Sequence, residues 1–246
     1  MKILLTATVT PRVAGPLFLT DPAVRRDQYV ESLRRWVPLA AQQDATLVLV
    51  ENSGEDLRRL VEDAVGDVPG HVRLVPVDVP EPDVVSRGKG ASEAVMLDVA
   101  CERFFDDPAE LWWKCTGRLF ISNFAACVPD RLPARPIVAR LALDLGWLDT
   151  RFFGTTAEIW RAHFTDAIHD VSEPDDLPIE KVFARRALGA VGAGADLVRF
   201  PTQPAFTGRS GTHEKRVYDS PVRRLKRLAS NQLETILRGP LKGKIY

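Results

Sequence analysis

Cysteine is scarce in this chain: three residues, Cys101, Cys115 and Cys127, with no CxxC pair among them. An odd number without metal-like pairing suits a reduced, cytoplasmic setting, with the three as small buried hydrophobes. Net charge is missing as well, because 33 Lys and Arg balance 33 Asp and Glu. Bulk charge therefore gives no reason to expect nucleic-acid binding. No apolar run approaches the length of a transmembrane helix, and the opening MKILL is too short for a signal peptide. A soluble protein, or one peripheral to a membrane, is expected. A Walker loop is lacking too, since Gly88-Lys89-Gly90 does not have the GxxxxGK[ST] spacing.

What the chain does have is a regular alternation in its first half. Residues 3–9, 46–50, 72–77 and 111–116 read as apolar, β-forming strands. Between them, residues 25–43, 55–65 and 89–101 carry helical periodicity, with Pro38 predicting a kink or early stop in the first helix. That order predicts βαβ units and a mainly parallel sheet in a single α/β domain. The domain is read as residues 1–219, with 1–123 as the ligand-binding half and 124–219 as a less regular half. In the latter, residues 137–143, 151–155 and 197–200 read as strands, and 158–168 and 179–190 as helices. A proline- and glycine-bearing loop over residues 10–22 is long enough to suggest binding or movement.

Parallel sheets bind ligands at the carboxyl ends of strands, beside the amino ends of helices. Cations gather at both kinds of place here: Arg87 and Lys89 before the third helix, Lys114 and Arg118 at the end of the fourth strand. A phosphate-bearing ligand would sit there. After the second strand, Glu51-Asn52-Ser53-Gly54 offers an acid to a ribose or base edge; it also reads as a turn in which Ser53 caps the next helix. Glu180, in a first helical turn, favours the helix dipole without any chemistry. His163 and His169 read as structural or solvated, whereas His213 lies in a Gly/Ser/Thr loop beside Arg209 and Lys215.

Four segments together resemble the GT-A glycosyltransferases of the family 2 type. VLVENSGED is similar to the strand and turn whose acid contacts the nucleotide, and GKGASEAVMLDVA to the glycine-led helix before the metal-binding strand. DLPIEKVFARR resembles the late helix start where inverting members carry their base, and GRSGTHEKRVYDS a closing, phosphate-contacting loop. The resemblance implies a GT-A-like fold and transfer of a sugar from a nucleotide-sugar donor to a glycan or lipid-linked acceptor in polysaccharide assembly. It implies Glu51 and Asn52 at the nucleoside, with Arg87, Lys89, Lys114, Gly208, Ser210 and His213 around the diphosphate. Glu180 would be the general base and Arg118 would stabilise the leaving phosphate.

One departure stands out. Where GT-A enzymes carry Asp-x-Asp for a divalent metal, this chain reads Lys114-Cys115-Thr116-Gly117-Arg118. Magnesium and manganese want oxygen ligands, so a metal is doubtful and no metal ligand is assigned. Lys114 or Arg118 would supply the positive charge instead. Two other readings remain open: a sugar-phosphate nucleotidyltransferase, against which the loop TPRVAGPLFLTDP lacks the lysine and the glycine richness, and a non-catalytic nucleotide-sugar-binding protein. Finally, residues 209–246 hold ten Lys and Arg against three acids. Within them, 220–238 read as a basic amphipathic helix, docked on its own domain or on an anionic membrane surface.

Overall fold

The computed structural model describes residues 1–12 and 17–209. The segment 220–238, Ser210 and His213 lie outside the described residues. The chain opens with β1 (Lys2–Ala7), α1 (Pro22–Gln42), β2 (Thr46–Glu51), α2 (Leu57–Val65) and β3 (Val72–Pro76). A short α3 (Pro82–Ser86) then leads into α4 (Lys89–Phe104) and β4 (Leu111–Thr116). The less regular half holds β5 (Phe120–Ile121), α5 (Phe124–Cys127), β6 (Pro136–Val138), β7 (Phe152–Thr156) and the single turn α6 (Ala157–Ile159). After it come α7 (Ile179–Gly192), β8 (Asp196–Val198) and β9 (Phe206–Thr207).

Seven strands form one sheet in the order β3-β2-β1-β4-β7-β6-β8. Only β7 runs against the others, pairing antiparallel with both β4 and β6. The mainly parallel sheet read from the sequence is therefore present. Chain order reverses beside β1: the connections to β2 and β3 lead one way and the connection to β4 the other. Such a switch point opens a crevice at the carboxyl ends of the strands. β5 and β9 make a separate two-stranded ribbon.

Alternation along the strands divides the core between the two faces of the sheet. Ile3, Leu5, Trp113 and Phe152 pack with Tyr29, Leu33 and Trp36 of α1. Leu4, Trp112 and Phe153 pack with Ala94 and Leu97 of α4 and Phe183 of α7. The adjacent tryptophans of β4 thus serve opposite layers, and neither is exposed.

Asp21 caps α1 by accepting from the Ala23 and Val24 amides, with Pro22 at the first helical position. The expected stop at Pro38 does not occur, and the helix runs on to Gln42. Trp36, Val37 and Ala40 are buried on both sides of the proline, so continued packing offsets the missing amide bond. The strand expected over 137–143 ends at Val138, and residues 141–148 instead turn back as a hairpin in which Leu141 bridges Leu148. The helix expected over 158–168 is also broken. After α6 the chain widens into a π turn (Trp160–Phe164), then a 3-10 turn (Ala167–His169), with Asp166 left-handed between them.

Asp98 of α4 explains that break. Its carboxylate accepts from Trp160 Nε1 at 2.8 Å and from the Asp166 amide at 3.3 Å, across an otherwise apolar layer. Burial raises the Asp98 pKa to about 6, against the weaker effect of those two hydrogen bonds. A carboxyl with a folded pKa above its unfolded one prefers the protonated fold, so stability is lost as pH rises between the two values. Wild-type stability should fall between pH 4 and pH 6.5 by on the order of 2 kcal/mol relative to Asp98→Asn. The asparagine keeps the Trp160 bond and gives up the Asp166 one, as the protonated acid does. Parallel urea titrations across pH check this; identical slopes for the two proteins would refute it.

Candidate active site

The carboxyl ends of β1 and β4, where the switch point falls, have a buried charge beneath them. Lys114 faces α4 and is 0% exposed. Its Nζ lies 2.6 Å from Glu93 Oε1 and donates to the Thr150 carbonyl at 2.5 Å and to Thr116 Oγ1 at 3.2 Å. The Thr6 hydroxyl, from β1, donates to the same Glu93 oxygen at 2.9 Å. Five residues from β1, α4, β4 and the loop before β7 thus close one polar cluster. Lys114 was expected at the strand end facing a diphosphate; it lies under that end, its charge matched by a carboxylate.

Glu180 joins the cluster from the first turn of α7. Its Oε1 accepts from Thr150 Oγ1 at 3.4 Å, and its carbonyl accepts from the Leu148 amide at 3.0 Å. Burial raises its pKa, with the nearby Glu93 adding to the shift and Lys89 and Lys114 opposing it. A carboxylate with a raised pKa holds a proton more readily than an exposed one.

A second group of charges lies toward α1. Arg118 donates to Gln28 Oε1 at 3.2 Å and to the Arg209 carbonyl at 3.5 Å, and its buried Nε has no partner among the described residues. Arg25 is 4% exposed; it donates to the backbone carbonyls of Thr8, Val9 and Leu19 and lies within hydrogen-bonding reach of Tyr29. Its pKa is lowered first by burial and also by the neighbouring Arg118. Neither guanidinium bonds a carboxylate among the described residues. Gly208 backs onto the Arg118 carbonyl.

Glu51 and Asn52, expected at a nucleoside, are buried at the end of β2. The Glu51 carboxylate accepts from the amides of Val9, Ser53 and Glu55 at 3.1, 2.9 and 3.1 Å, and from the Ser53 hydroxyl. Asn52 Oδ1 accepts from Thr8 Oγ1 at 2.7 Å. Both residues tie the loop after β1 to β2.

The start of α4, expected to take an anion, holds one supplied by the chain. Glu173 Oε1 accepts from the Gly90 amide at 3.1 Å, and the Glu173 amide donates to the Arg87 carbonyl at 2.8 Å. Gly88 is at φ +104, and a Cβ there would lie 2.5 Å from the Glu173 carboxyl carbon. Lys89 is exposed. Arg87 turns away to the His169 carbonyl, into a groove of about 790 Å³ that Arg185 and Arg186 also line.

The sequence singles out Lys114, Arg118 and Glu180; the structure sets beside them Glu93, Thr6, Thr150, Arg25 and Glu173, which the sequence does not single out. One signal was available: a lysine inside LWWKCT must bury its charge, and a buried charge requires an acid from a neighbouring element. The GT-A resemblance implies a divalent metal, and the donor set does not fit one. The strand end offers an ammonium, a guanidinium and hydroxyls, the Glu93 carboxylate is paired with Lys114, and no cluster of three metal-ligating side chains is present among the described residues.

No protein-family model matches the chain, and no curated protein matches its sequence. Solved structures similar to it include the inositol-1-phosphate CTP transferase from T. maritima, at 13% identity over 94% of this chain and 95% of that one, with a TM-score of 0.46. The mannosyltransferase PcManGT from Pyrobaculum calidifontis, solved with GDP-Man and Mn2+, is 12% identical over 100% of this chain and 65% of its own, TM-score 0.49. The galactosyltransferase LgtC, solved with donor and acceptor sugar analogs, is 11% identical over 81% and 73%, TM-score 0.47. What happens at the site rests on the residues described above.

The ion pair beneath the crevice gives a direct test. Removing the acid from a buried pair costs about 3–5 kcal/mol, because the remaining charge is left without a partner. Glu93→Ala should therefore destabilise the protein by about that much, and Lys114→Met by less, since Glu93 reaches solvent and keeps Thr6. Combining the two should recover part of the Glu93→Ala loss in urea denaturation. Additive losses would mean that the pair is not coupled.

Proposed function

We propose that this chain is a glycosyltransferase that moves a sugar from a nucleotide-sugar donor to a glycan or lipid-linked acceptor, in glycoconjugate or polysaccharide assembly, without a divalent metal. The observation that carries the reading is the pair Arg25 and Arg118, two neighbouring guanidiniums that form no ion pair among the described residues, with Glu51 the one acid acting on Arg25, at the β1–β4 switch point. Like charges held together in a partly desolvated place favour an anion between or above them. A diphosphate suits guanidinium geometry.

In the proposed reaction Glu180 takes the proton of the acceptor hydroxyl as that oxygen bonds to the anomeric carbon. The bond from that carbon to the donor phosphate oxygen breaks, and a nucleoside diphosphate leaves. Arg118 and Lys89 stabilise the charge that grows on it, the part a metal plays elsewhere. Lys114 acts by position: it fixes Glu93 and the Thr150 carbonyl, and Thr150 in turn holds Glu180. Glu51 and Asn52 shape the nucleoside end of the crevice, and Gly208, Ser210 and His213 belong to the loop proposed to close on the phosphates. Arg87 faces the acceptor-side groove.

Thermal-shift titration with UDP, GDP, CMP and their sugars tests donor binding. A ligand at 100 times its Kd adds roughly 2.7 kcal/mol to stability, and EDTA should leave that gain intact. A requirement for Mn2+ or Mg2+ would overturn the metal-free assignment. Turnover should release a nucleoside diphosphate. Release of pyrophosphate from a nucleoside triphosphate and a sugar phosphate would mark nucleotidyl transfer instead, and binding without turnover would mark a binding protein.

Two substitutions should then fail differently. Glu180→Gln should lower kcat by about 10²–10⁴-fold with nucleotide binding unchanged. Arg118→Ala should weaken nucleoside diphosphate binding and slow transfer together, costing about 2–4 kcal/mol in the transition state. Small, equal effects from both would remove the mechanism.

A further inference from the structure

The hairpin of residues 141–148 carries three large apolar side chains into solvent: Leu143 is 83% exposed, Leu145 45% and Trp147 43%. The other four tryptophans, Trp36, Trp112, Trp113 and Trp160, are 0% exposed. Single exposed leucines are ordinary, but three such residues within five positions make a patch that asks for a partner. The turn is a built one. The Ala142 amide donates to the Trp147 carbonyl at 2.8 Å, and the Leu145 amide to the Ala142 carbonyl at 3.0 Å. The Gly146 amide donates to Asp144 Oδ1 at 3.0 Å, which holds that acid within the turn. Leu145 sits at φ 60, in the left-handed region that Asn or Gly usually fills. Strain of that kind persists where the surrounding structure fixes it.

The second arm of the hairpin leads straight to the site. Leu148 donates its amide to the Glu180 carbonyl, and Thr150, two residues on, bonds both Lys114 and the Glu180 carboxylate. The apolar tip is therefore tied at a short, fixed offset to the residue assigned as base.

We infer that this tip enters the interfacial layer of an anionic lipid bilayer and seats the crevice at the membrane surface. Under the transferase reading, on which this last step rests, the acceptor is then the lipid-linked one. A sugar ring can stack on Trp147 but offers nothing to Leu143. A bilayer interface takes both, since indole favours the headgroup boundary and leucine the acyl region. Charge points the same way. Arg140 beside the hairpin and Asp144 within it are both exposed and offset one another, and residues 210–246 carry nine Lys and Arg against three acids. Basic residues draw a protein to anionic headgroups, and a few apolar side chains then hold it there.

The test uses the full chain with vesicles of phosphatidylcholine alone and of an equal mixture with phosphatidylglycerol. Because Trp147 is the one exposed tryptophan, its emission reports the hairpin directly. Binding to the mixed vesicles should shift emission to the blue, and brominated acyl chains should quench it. Leu143→Ser and Trp147→Ala should each lower partitioning by about tenfold, the equivalent of burying one such side chain. Both variants should keep the wild-type melting temperature and nucleotide thermal shift. The inference is overturned if the vesicles do not bind, or if both variants bind as wild type does, which would leave attraction by charge alone. It is also overturned if a soluble disaccharide, and not lipid, shifts the Trp147 emission. Nucleotide binding and turnover are measured without lipid, so failure of the membrane step and failure of the transferase reading give different results.

Discussion

An ammonium with no exposed surface is costly unless a carboxylate and further acceptors surround it, and Lys114 is such a group in the middle of the sheet. Its neighbours follow from that requirement. Glu93 must come from α4, the Thr150 carbonyl from the turn before β7, and a hydroxyl from Thr116 in the same strand. Thr6 of β1 then fixes Glu93 from the other side. One buried charge thereby sets the angle of α4 over the sheet and the path of the chain into β7. Through Thr150 it also sets the place of Glu180. An apolar residue at 114 would pack as well, but it would impose none of these positions.

The aromatic layer supports the same corner. Trp112 lies against Trp160 at 5.1 Å and against Phe153 at 5.7 Å, and Phe183 of α7 packs edge-on to Phe153 and Trp160. This cluster joins β4, β7, the π turn and α7, the elements that carry Lys114 and Glu180. Asp98 is the polar tie in it, and its burial makes the packing of the π turn depend on protonation. Positioning of Glu180, the proposed base, thus rests partly on apolar contacts remote from its carboxylate.

How much of this was legible varies with the range of the interactions. The first three strands, their helices and β4 were read from periodicity, because parallel strands buried on both faces are continuous apolar runs. The second half was not, since its course depends on partners distant in sequence. The strand over 137–143 ends early because Leu141 finds Leu148, and the helix over 158–168 opens because Asp98 holds Trp160 and Asp166. At the site, residues with charge in a suggestive place were visible: Lys114, Arg118 and Glu180. Their directions were not. Whether Lys114 faces a ligand or an acid is decided by Glu93, one helical turn into α4, whose sequence reads as ordinary. Nothing in the sequence distinguishes Arg25 from the other cations of α1; its carbonyl partners and its neighbours Tyr29, Arg118 and Glu51 set it apart in the fold.

The charges about the crevice fall on two sides of the sheet. Arg118 turns to α1 and meets Gln28, close to Arg25, while Lys114, Glu93 and Glu180 gather under α4 and α7. Between them β1 and β4 are joined by the Gly117 amide donating to the Thr6 carbonyl at 2.8 Å, and a Cβ on Gly117 would lie 2.7 Å from that oxygen. The ridge between the two groups is accordingly bare backbone. In the proposed reaction a donor lies across such a ridge with its diphosphate over the guanidiniums and its sugar on the side of the carboxylates. That placement separates the tasks of Arg118 and Glu180, with Lys89, whose charge opposes the rise in the Glu180 pKa, as the cation between them. The guanidiniums sit where negative charge grows on the leaving group, and the carboxylate with a raised pKa sits where a proton must be received. Were the two sets interleaved, Arg118 would lower the basicity of Glu180 and Glu180 would neutralise Arg118; the sheet between them keeps each group suited to its task.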